Sequence, residues 1–246
     1  MNKLYVDIGN SYIKVAEKTD LAWKLVYRDR TDREKRFYSW LDDNLADKGS
    51  GREIIVCSVN NRISAALDQN YKGRNLRRIS TRDIPAELIN YETPQILGTD
   101  RFFACYGASG LTPADVVVID AGSACTIDFM SAGAVFQGGV IMPGLAFIRE
   151  SLSRLSLPET DETLPERWPG TSTADCIKWG TTGVFIQALT GFLYKYRLKY
   201  GEFDLFVTGG DTVLAARYLQ EEFQPRQRPY LVFEGMEAAC SRLLHC

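Results

Sequence analysis

The feature that most constrains this chain is a repeat. The stretch Leu4-Tyr5-Val6-Asp7-Ile8-Gly9-Asn10-Ser11-Tyr12-Ile13-Lys14 returns about a hundred residues later as Val116-Val117-Val118-Ile119-Asp120-Ala121-Gly122-Ser123-Ala124-Cys125-Thr126-Ile127-Asp128. Each copy runs an apolar segment into an Asp, one further residue, a Gly and a small polar residue, and then resumes alternation. The pattern predicts two β-hairpins, each with a buried first strand, an Asp at its end and a Gly where the backbone turns sharply beside a ligand. One Asp-x-Gly turn is ordinary hairpin chemistry. Two, one in each half of the chain, point to a shared function.

That function is phosphate handling. Gly9 followed by Asn10 and Ser11, or Gly122 followed by Ser123 and Ala124, offers backbone N–H groups and a hydroxyl with no bulky Cβ in the way. The Asp repels phosphate, so its role is to hold a cation between them or to orient that cation's water.

Composition narrows the classes. The 246 residues are 45% hydrophobic and 24% charged, as in a folded globular protein, and the formal net charge of -2 gives no basic surface for nucleic acid. The Arg74, Arg77, Arg78 and Arg82 group is short and reads as a solvated face. The amino terminus goes straight into a strand with no leader pattern, and no run is long enough to span a bilayer, which predicts a cytoplasmic protein. The six cysteines lack a Cys-x-x-Cys pair and are expected as free, mostly buried thiols. The single histidine, His245, stands beside Cys246 and reads as a tail residue. Histidine-dependent hydrolase chemistry is thereby excluded, leaving a carboxylate as general base ahead of Lys or Tyr.

Along the first half, strands are expected at Trp23 to Tyr27, Glu53 to Val59 and near Ile79, with helices from Arg33 to Leu45 and from an Asn60 cap to Leu67. Thr93 to Leu97 is expected as an extended loop around Pro94. A helix follows with Thr99 as N-cap and Asp100 in its first turn, where Asp100 either complements the helix dipole or does chemistry. Gly110-Leu111-Thr112-Pro113 marks a boundary between domains at 1–112 and 113–246. In the second half, Gly138 and Gly139 lie in a strand, which implies close approach of a ligand or of partner backbone. Pro143-Gly144 opens a helix, an acidic loop covers Ser156 to Gly170, and the longest helix runs from Ser172 to Leu198. Its Gly180 and Gly183 leave room for another helix to pack close, beside an apolar stripe that includes Val184 and Leu189. Gly209-Gly210 is either an αL turn or a ligand-facing turn, and a last strand at Tyr230 to Phe233 precedes a last helix from Met236 to Leu244.

The duplicated hairpins resemble the two phosphate loops of the acetate and sugar kinase, Hsp70 and actin superfamily. More narrowly, with Gly98-Thr99-Asp100-Arg101 and Gly138-Gly139-Val140-Ile141-Met142-Pro143-Gly144 in their order, the chain resembles type III pantothenate kinases from residue 4 to about 240. The resemblance implies an α/β fold of two duplicated actin-like, ribonuclease H-like domains with a nucleotide cleft between them. It implies ATP-dependent phosphorylation of pantothenate to 4'-phosphopantothenate, the entry to coenzyme A, with Asp100 as general base. ATP is then held by Asp7, Ile8, Gly9, Asn10, Ser11, Tyr12, Ile13, Lys14 and Ser123, and pantothenate by Tyr91, Gly98, Thr99, Asp100, Arg101 and Thr173. Asp7 holds Mg²⁺ through water, Asp120 takes K⁺ or NH₄⁺, and the chain forms a homodimer. Ser11 and Ser123 stand where the family more often has Thr, keeping the hydroxyl, and Ser172 replaces the Asn that precedes Thr173. A sugar or acetate kinase of the same superfamily, or a non-catalytic ATP-binding regulator, would share the loops.

Overall fold

The opening hairpin forms as the repeat predicts and continues into a meander: β1 (Lys3–Ile8) pairs antiparallel with β2 (Tyr12–Lys18), and β2 with β3 (Trp23–Arg30). On its other edge β1 pairs parallel with β4 (Glu53–Ser58), and β4 with β5 (Leu76–Ile79). The computed structural model describes residues 3–20, 22–46 and 52–244. The chain falls into two compact units, Met1–Leu111 with Ala134–Phe136 and Tyr230–Cys246, and Thr112–Gly133 with Gln137–Pro229.

In the first unit the sheet order is β3-β2-β1-β4-β5. Helices α1 (Glu34–Ala46) and α2 (Asn61–Asn70) pack Phe37, Leu41, Ile63 and Leu67 against Leu4, Val6, Ile8 and Val56 of the sheet. Burying a Leu, Ile or Phe is worth about 1.5–3 kcal/mol each, so this face dominates the unit's stability. Asn60 caps α2 by accepting from the Ile63 N–H at 3.1 Å, as its position implies. Helix α3 (Thr99–Ser109) crosses α8 (Leu231–Ala239) at glycine on both sides. A Cβ on Gly107 would lie 2.7 Å from the Leu231 carbonyl oxygen, and one on Gly235 would overlap the Phe103 carbonyl.

The second unit repeats the pattern. Its sheet order is β10-β9-β6-β7-β8, in which β6 (Val116–Ala121) pairs antiparallel with β7 (Ala124–Met130) and parallel with β9 (Asp204–Thr208). β8 (Phe136–Pro143) takes the place of β3 and β10 (Arg226–Gln227) that of β5. Val117, Ile119, Ile127 and Phe129 meet Phe185, Leu189 and Leu193 of α6 (Val184–Tyr200) and Ala215 and Leu219 of α7 (Thr212–Phe223). Two units of one topology establish a duplicated actin-like α/β fold.

Several local expectations are corrected. Thr93 to Leu97 is not extended: Pro94–Ile96 forms a 3-10 turn, because Pro in the first turn of a helix gives up no hydrogen bond. Gly98, not Thr99, is the N-cap of α3. The long helix is α5 (Thr173–Lys178), a π turn over Trp179–Gly183, and α6, with Val184 exposed. The turn holding Gly180 and Gly183 does pack against a neighbouring helix, Leu145–Ser151, although a Cβ on Gly180 meets nothing within 4 Å and one on Gly183 would meet the Trp179 ring of its own turn at 2.7 Å. The run Tyr230 to Phe233 is not a strand but the start of α8, since a short apolar run fits a buried helix equally well. Cys57, Cys105 and Cys125 are buried thiols, whereas Cys176 is exposed and Cys240 is disulfide-bonded. His245 and Cys246 lie outside the described residues.

Candidate active site

In the first unit the turn of the opening hairpin is closed by the Gly9 N–H donating to the Tyr12 carbonyl at 3.0 Å. It is braced from outside by Thr31, whose N–H donates to the Ser11 carbonyl at 2.9 Å and whose hydroxyl donates to the Gly9 carbonyl at 3.3 Å. Ile8 is buried, Asn10 is exposed, and Ser11 and Tyr12 are half-buried, so the tip of the loop is open while its flank is anchored in the core. Asp7, buried at the end of β1, stands in register with Lys14 on β2, and the Lys14 ammonium lies 3.9 Å from its carboxylate. Its partner on the other edge is Cys57 of β4.

The Gly98 to Arg101 segment meets this loop through Cys57. The Thr99 hydroxyl and Cys57 thiol are 3.0 Å apart, fixing the start of α3 to β4. Asp100 Oδ1 accepts from the Arg101 N–H at 2.8 Å, and a Cβ on Gly98 would lie 2.6 Å from that same oxygen. Burial raises the Asp100 carboxyl above the ordinary range, against the downward pull of the Arg101 N–H and guanidinium and of Lys14. Burial raises the Cys57 thiol well above its ordinary value, with Asp7 and Asp100 both adding to it and the Thr99 hydroxyl opposing it. Asp7, Lys14 and Asp100 therefore share one electrostatic neighbourhood, with a desolvated carboxylate beside a lysine and a phosphate-type loop. Tyr91 and the buried Arg101 both pack on the ring of Phe136. The Arg101 guanidinium lies 5.6 Å from the centroid of Phe136, and the Tyr91 ring meets the same ring edge-on at 6.1 Å.

In the second unit the Asp120-Gly122-Ser123 turn is enclosed by backbone. The Gly144 N–H at the start of α4 (Leu145–Ser151) donates to the Ser123 carbonyl at 3.0 Å, and a Cβ there would overlap the Gly122 carbonyl oxygen. Gly209, at φ 96°, brings the turn after β9 against Asp120, where a Cβ would lie 2.5 Å from Asp120 Oδ1. The Asp211 N–H donates to the Ala121 carbonyl at 2.9 Å, and burial, then Glu162, raises the Asp211 carboxyl. Pro143-Gly144 and Gly209-Gly210 are thus walls of the second loop. Gly139, by contrast, makes room for partner backbone and not ligand: a Cβ there would collide with Ile127 and Asp128 of β7. Thr173 is exposed as the first residue of α5, after Ser172, whose side chain caps that helix through the Asp175 N–H at 3.1 Å.

Sequence reasoning missed Thr31, Cys57 and Phe136 as supports of the site. Thr31 and Phe136 sit far along the chain from the loops they touch, with no spacing to reveal them, and Cys57 reads as one more apolar strand residue.

A family model of type III pantothenate kinases matches residues 3–195. The chain belongs to the type III pantothenate kinase family. A member named for that activity in Flavobacterium johnsoniae is 32% identical over 226 residues, 88% of this chain and 89% of that one. A second, from Pseudomonas syringae, is 31% identical, covering 96% of this chain and 98% of its own. Among solved structures, a Campylobacter jejuni protein described as a Baf family transcriptional activator superposes with a TM-score of 0.65 at 26% identity, covering 99% of this chain and 100% of that one. A Sinorhizobium meliloti protein assigned as a 2-dehydro-3-deoxygalactonokinase superposes with a TM-score of 0.58 at 13% identity, covering 97% of this chain and 98% of that one. This likeness carries the fold alone.

Proposed function

We propose that this protein phosphorylates pantothenate with ATP, giving 4'-phosphopantothenate and ADP as the first step toward coenzyme A. The observation that carries the reading is a half-buried carboxylate, Asp100, raised by desolvation and held near Lys14 and the Asp7 hairpin turn in a chain of this family. Asp100 accepts the proton of the pantothenate primary hydroxyl. That oxygen forms a bond to the γ-phosphorus in line with the breaking bond to ADP. In a loose transition state positioning and charge neutralisation supply most of the catalysis, so a fixed carboxylate suffices as base. Asn10, Ser11 and Ser123 donate to phosphate oxygens, Gly9 lets phosphate approach the turn without a Cβ in the way, Lys14 adds a point charge, and Tyr91, Gly98, Thr99, Arg101 and Thr173 hold the acceptor.

The oxygen donors at the two turns suit hard cations. Asp120, with Asp211 and the Ala121 carbonyl beside its turn, would hold K⁺ or NH₄⁺, and Asp7 would orient water on Mg²⁺. Among the described residues no group of three or more His, Cys, Asp or Glu forms a metal cage, in keeping with a Mg²⁺ that retains its waters and binds through phosphates. Bound cations would neutralise charge on the phosphates. One phosphate loop falls to each unit, the Asp7 turn to the first and the Asp120 turn to the second. Ile141, Phe147 and Val184 of the second unit are exposed, which supports a homodimer. Among the described residues no helix is long and apolar enough to cross a membrane, and a cytoplasmic location fits the substrates.

The test is ADP release with and without pantothenate, in K⁺ and in Na⁺, for the wild type and Asp100→Asn. Pantothenate-dependent release that needs K⁺ and is lost in the variant, with nucleotide binding kept, is the expected result. No pantothenate-dependent release from the wild type in either salt would overturn the reading. The regulatory alternative, favoured by the description of the Campylobacter jejuni relative, would then stand.

A further inference from the structure

Phe136 has no place in the chemistry above, yet two proposed acceptor-binding side chains converge on it. It is fully buried, and its backbone is tied beside Tyr91 by the Asn90 N–H, which donates to the Phe136 carbonyl at 2.9 Å, and by a bridge to Ile89. Its ring carries the Arg101 guanidinium 5.6 Å from its centroid and meets Tyr91 edge-on at 6.1 Å. Phe102, the next residue of α3, packs on it at 6.5 Å, and Phe102 in turn stacks on Tyr106. Ala134–Phe136 belongs to the first unit although the chain on both sides belongs to the second. A segment from elsewhere in the sequence thus delivers one aromatic ring between a loop residue and a helix residue.

We propose that Phe136 is a positioning residue for the acceptor. Its ring fixes the separation and orientation of Tyr91 and Arg101 and so sets which hydroxy acid fits between them. The physical basis is directional on both sides. An arginine over a ring face is held by the ring quadrupole, and an edge-to-face pair fixes the second ring's angle. A Leu of similar bulk fills the space but supplies neither direction. Arg101 then loses one of the restraints on its orientation, and acceptor binding must supply that ordering instead. The inference rests on the reading of Tyr91 and Arg101 as acceptor contacts.

The experiment compares Phe136→Leu, Phe136→Met and Phe136→Tyr with the wild type, measuring KM for pantothenate, KM for ATP and kcat together with the melting temperature. The expected result is a rise of about tenfold in KM for pantothenate in the Leu and Met variants, with KM for ATP within twofold of the wild type. Phe136→Tyr, which keeps the ring, should lie within threefold of the wild type in KM for pantothenate. Leu and Met variants that fold and show an unchanged KM for pantothenate, whatever their kcat or melting temperature, would overturn the proposal. So would a Tyr variant as impaired as the Leu variant at equal melting temperature. If Leu does not fold, Met decides, its flexible thioether filling the gap without a ring. A wild type without pantothenate-dependent turnover would instead defeat the functional reading itself, so the two failures are distinguishable.

Discussion

Gly144→Ala isolates the contribution of backbone packing to the Asp120 to Ser123 turn, the proposed second phosphate loop. Gly144 has φ -70° and ψ 166°, a conformation open to any residue, so alanine meets no backbone strain there. What is missing is space. The new Cβ would lie 2.6 Å from the Ser123 carbonyl oxygen and overlap that of Gly122, whereas real Cβ contacts essentially never come under 3.0 Å. Both neighbours are backbone atoms of the loop, with no side-chain end that could swing aside. The loop must therefore retreat by at least 0.4 Å, and by more at Gly122. Overpacking of this kind costs about 1–3 kcal/mol, a fall in melting temperature of about 2–12 °C for a chain of this size. Because a 1 Å misplacement of positioning groups can cost about a hundredfold in rate, kcat/KM for ATP should fall tenfold or more. KM for pantothenate should stay within about threefold of the wild type. Thermal unfolding and initial-rate kinetics at varied ATP read both effects. Gly133→Ala, where a Cβ meets nothing within 4 Å, serves as the silent control. A Gly144→Ala enzyme with wild-type stability and wild-type ATP kinetics would refute the reasoning.

Further outcomes rest on the same structure. Asp100 is raised by burial, and a general base must be ionised, so kcat/KM should decline as pH falls through its elevated value, above the free-Asp value of about 3.9. For stability the sign is reversed from a salt-bridged carboxylate: below about pH 4 folded and unfolded chains are both protonated, and the cost of burying the charge appears as pH rises. Thermal unfolding of Asp100→Asn against pH should thus show a variant more stable than the wild type near pH 7 and equal to it below about pH 4; a pH-independent difference would count against the burial. Among the helix glycines, Gly235→Ala should destabilise by about 1–3 kcal/mol, since its Cβ would run into the Phe103 backbone. Gly191→Ala, open on all sides in α6, should stabilise by about 0.5–1 kcal/mol in denaturant unfolding.

The residues near the chemistry were legible because their patterns are local. An apolar run, an Asp, a Gly and a resumed alternation suffice to specify a hairpin, and two copies specify a duplicated fold; β1-β2 and β6-β7 form as read. Asn60 caps its helix and Asp100 opens another for the same reason, that the determinants lie within a few residues. Where two local outcomes were physically equivalent, the sequence left them open. Gly139 accommodates β7 backbone while Gly144 and Gly209 wall the Asp120 loop, yet each is a glycine next to a strand. Tyr230 to Phe233 becomes helix because α3 offers a glycine-lined face, a contact across more than a hundred residues.

Local pattern was enough for the two hairpin turns, the start of the helix that carries Asp100, and the family. Only the tertiary structure decided what holds them: Thr31 on the first turn, Cys57 joining Thr99 to the strand beside Asp7, and Phe136 between Tyr91 and Arg101. The reason is one of range. Hydrogen-bonded turns and helix starts are fixed by neighbours along the chain, whereas the burial that raises Asp100 and the ring that seats Arg101 come from segments whose proximity is set by the folding of the sheet and its helices.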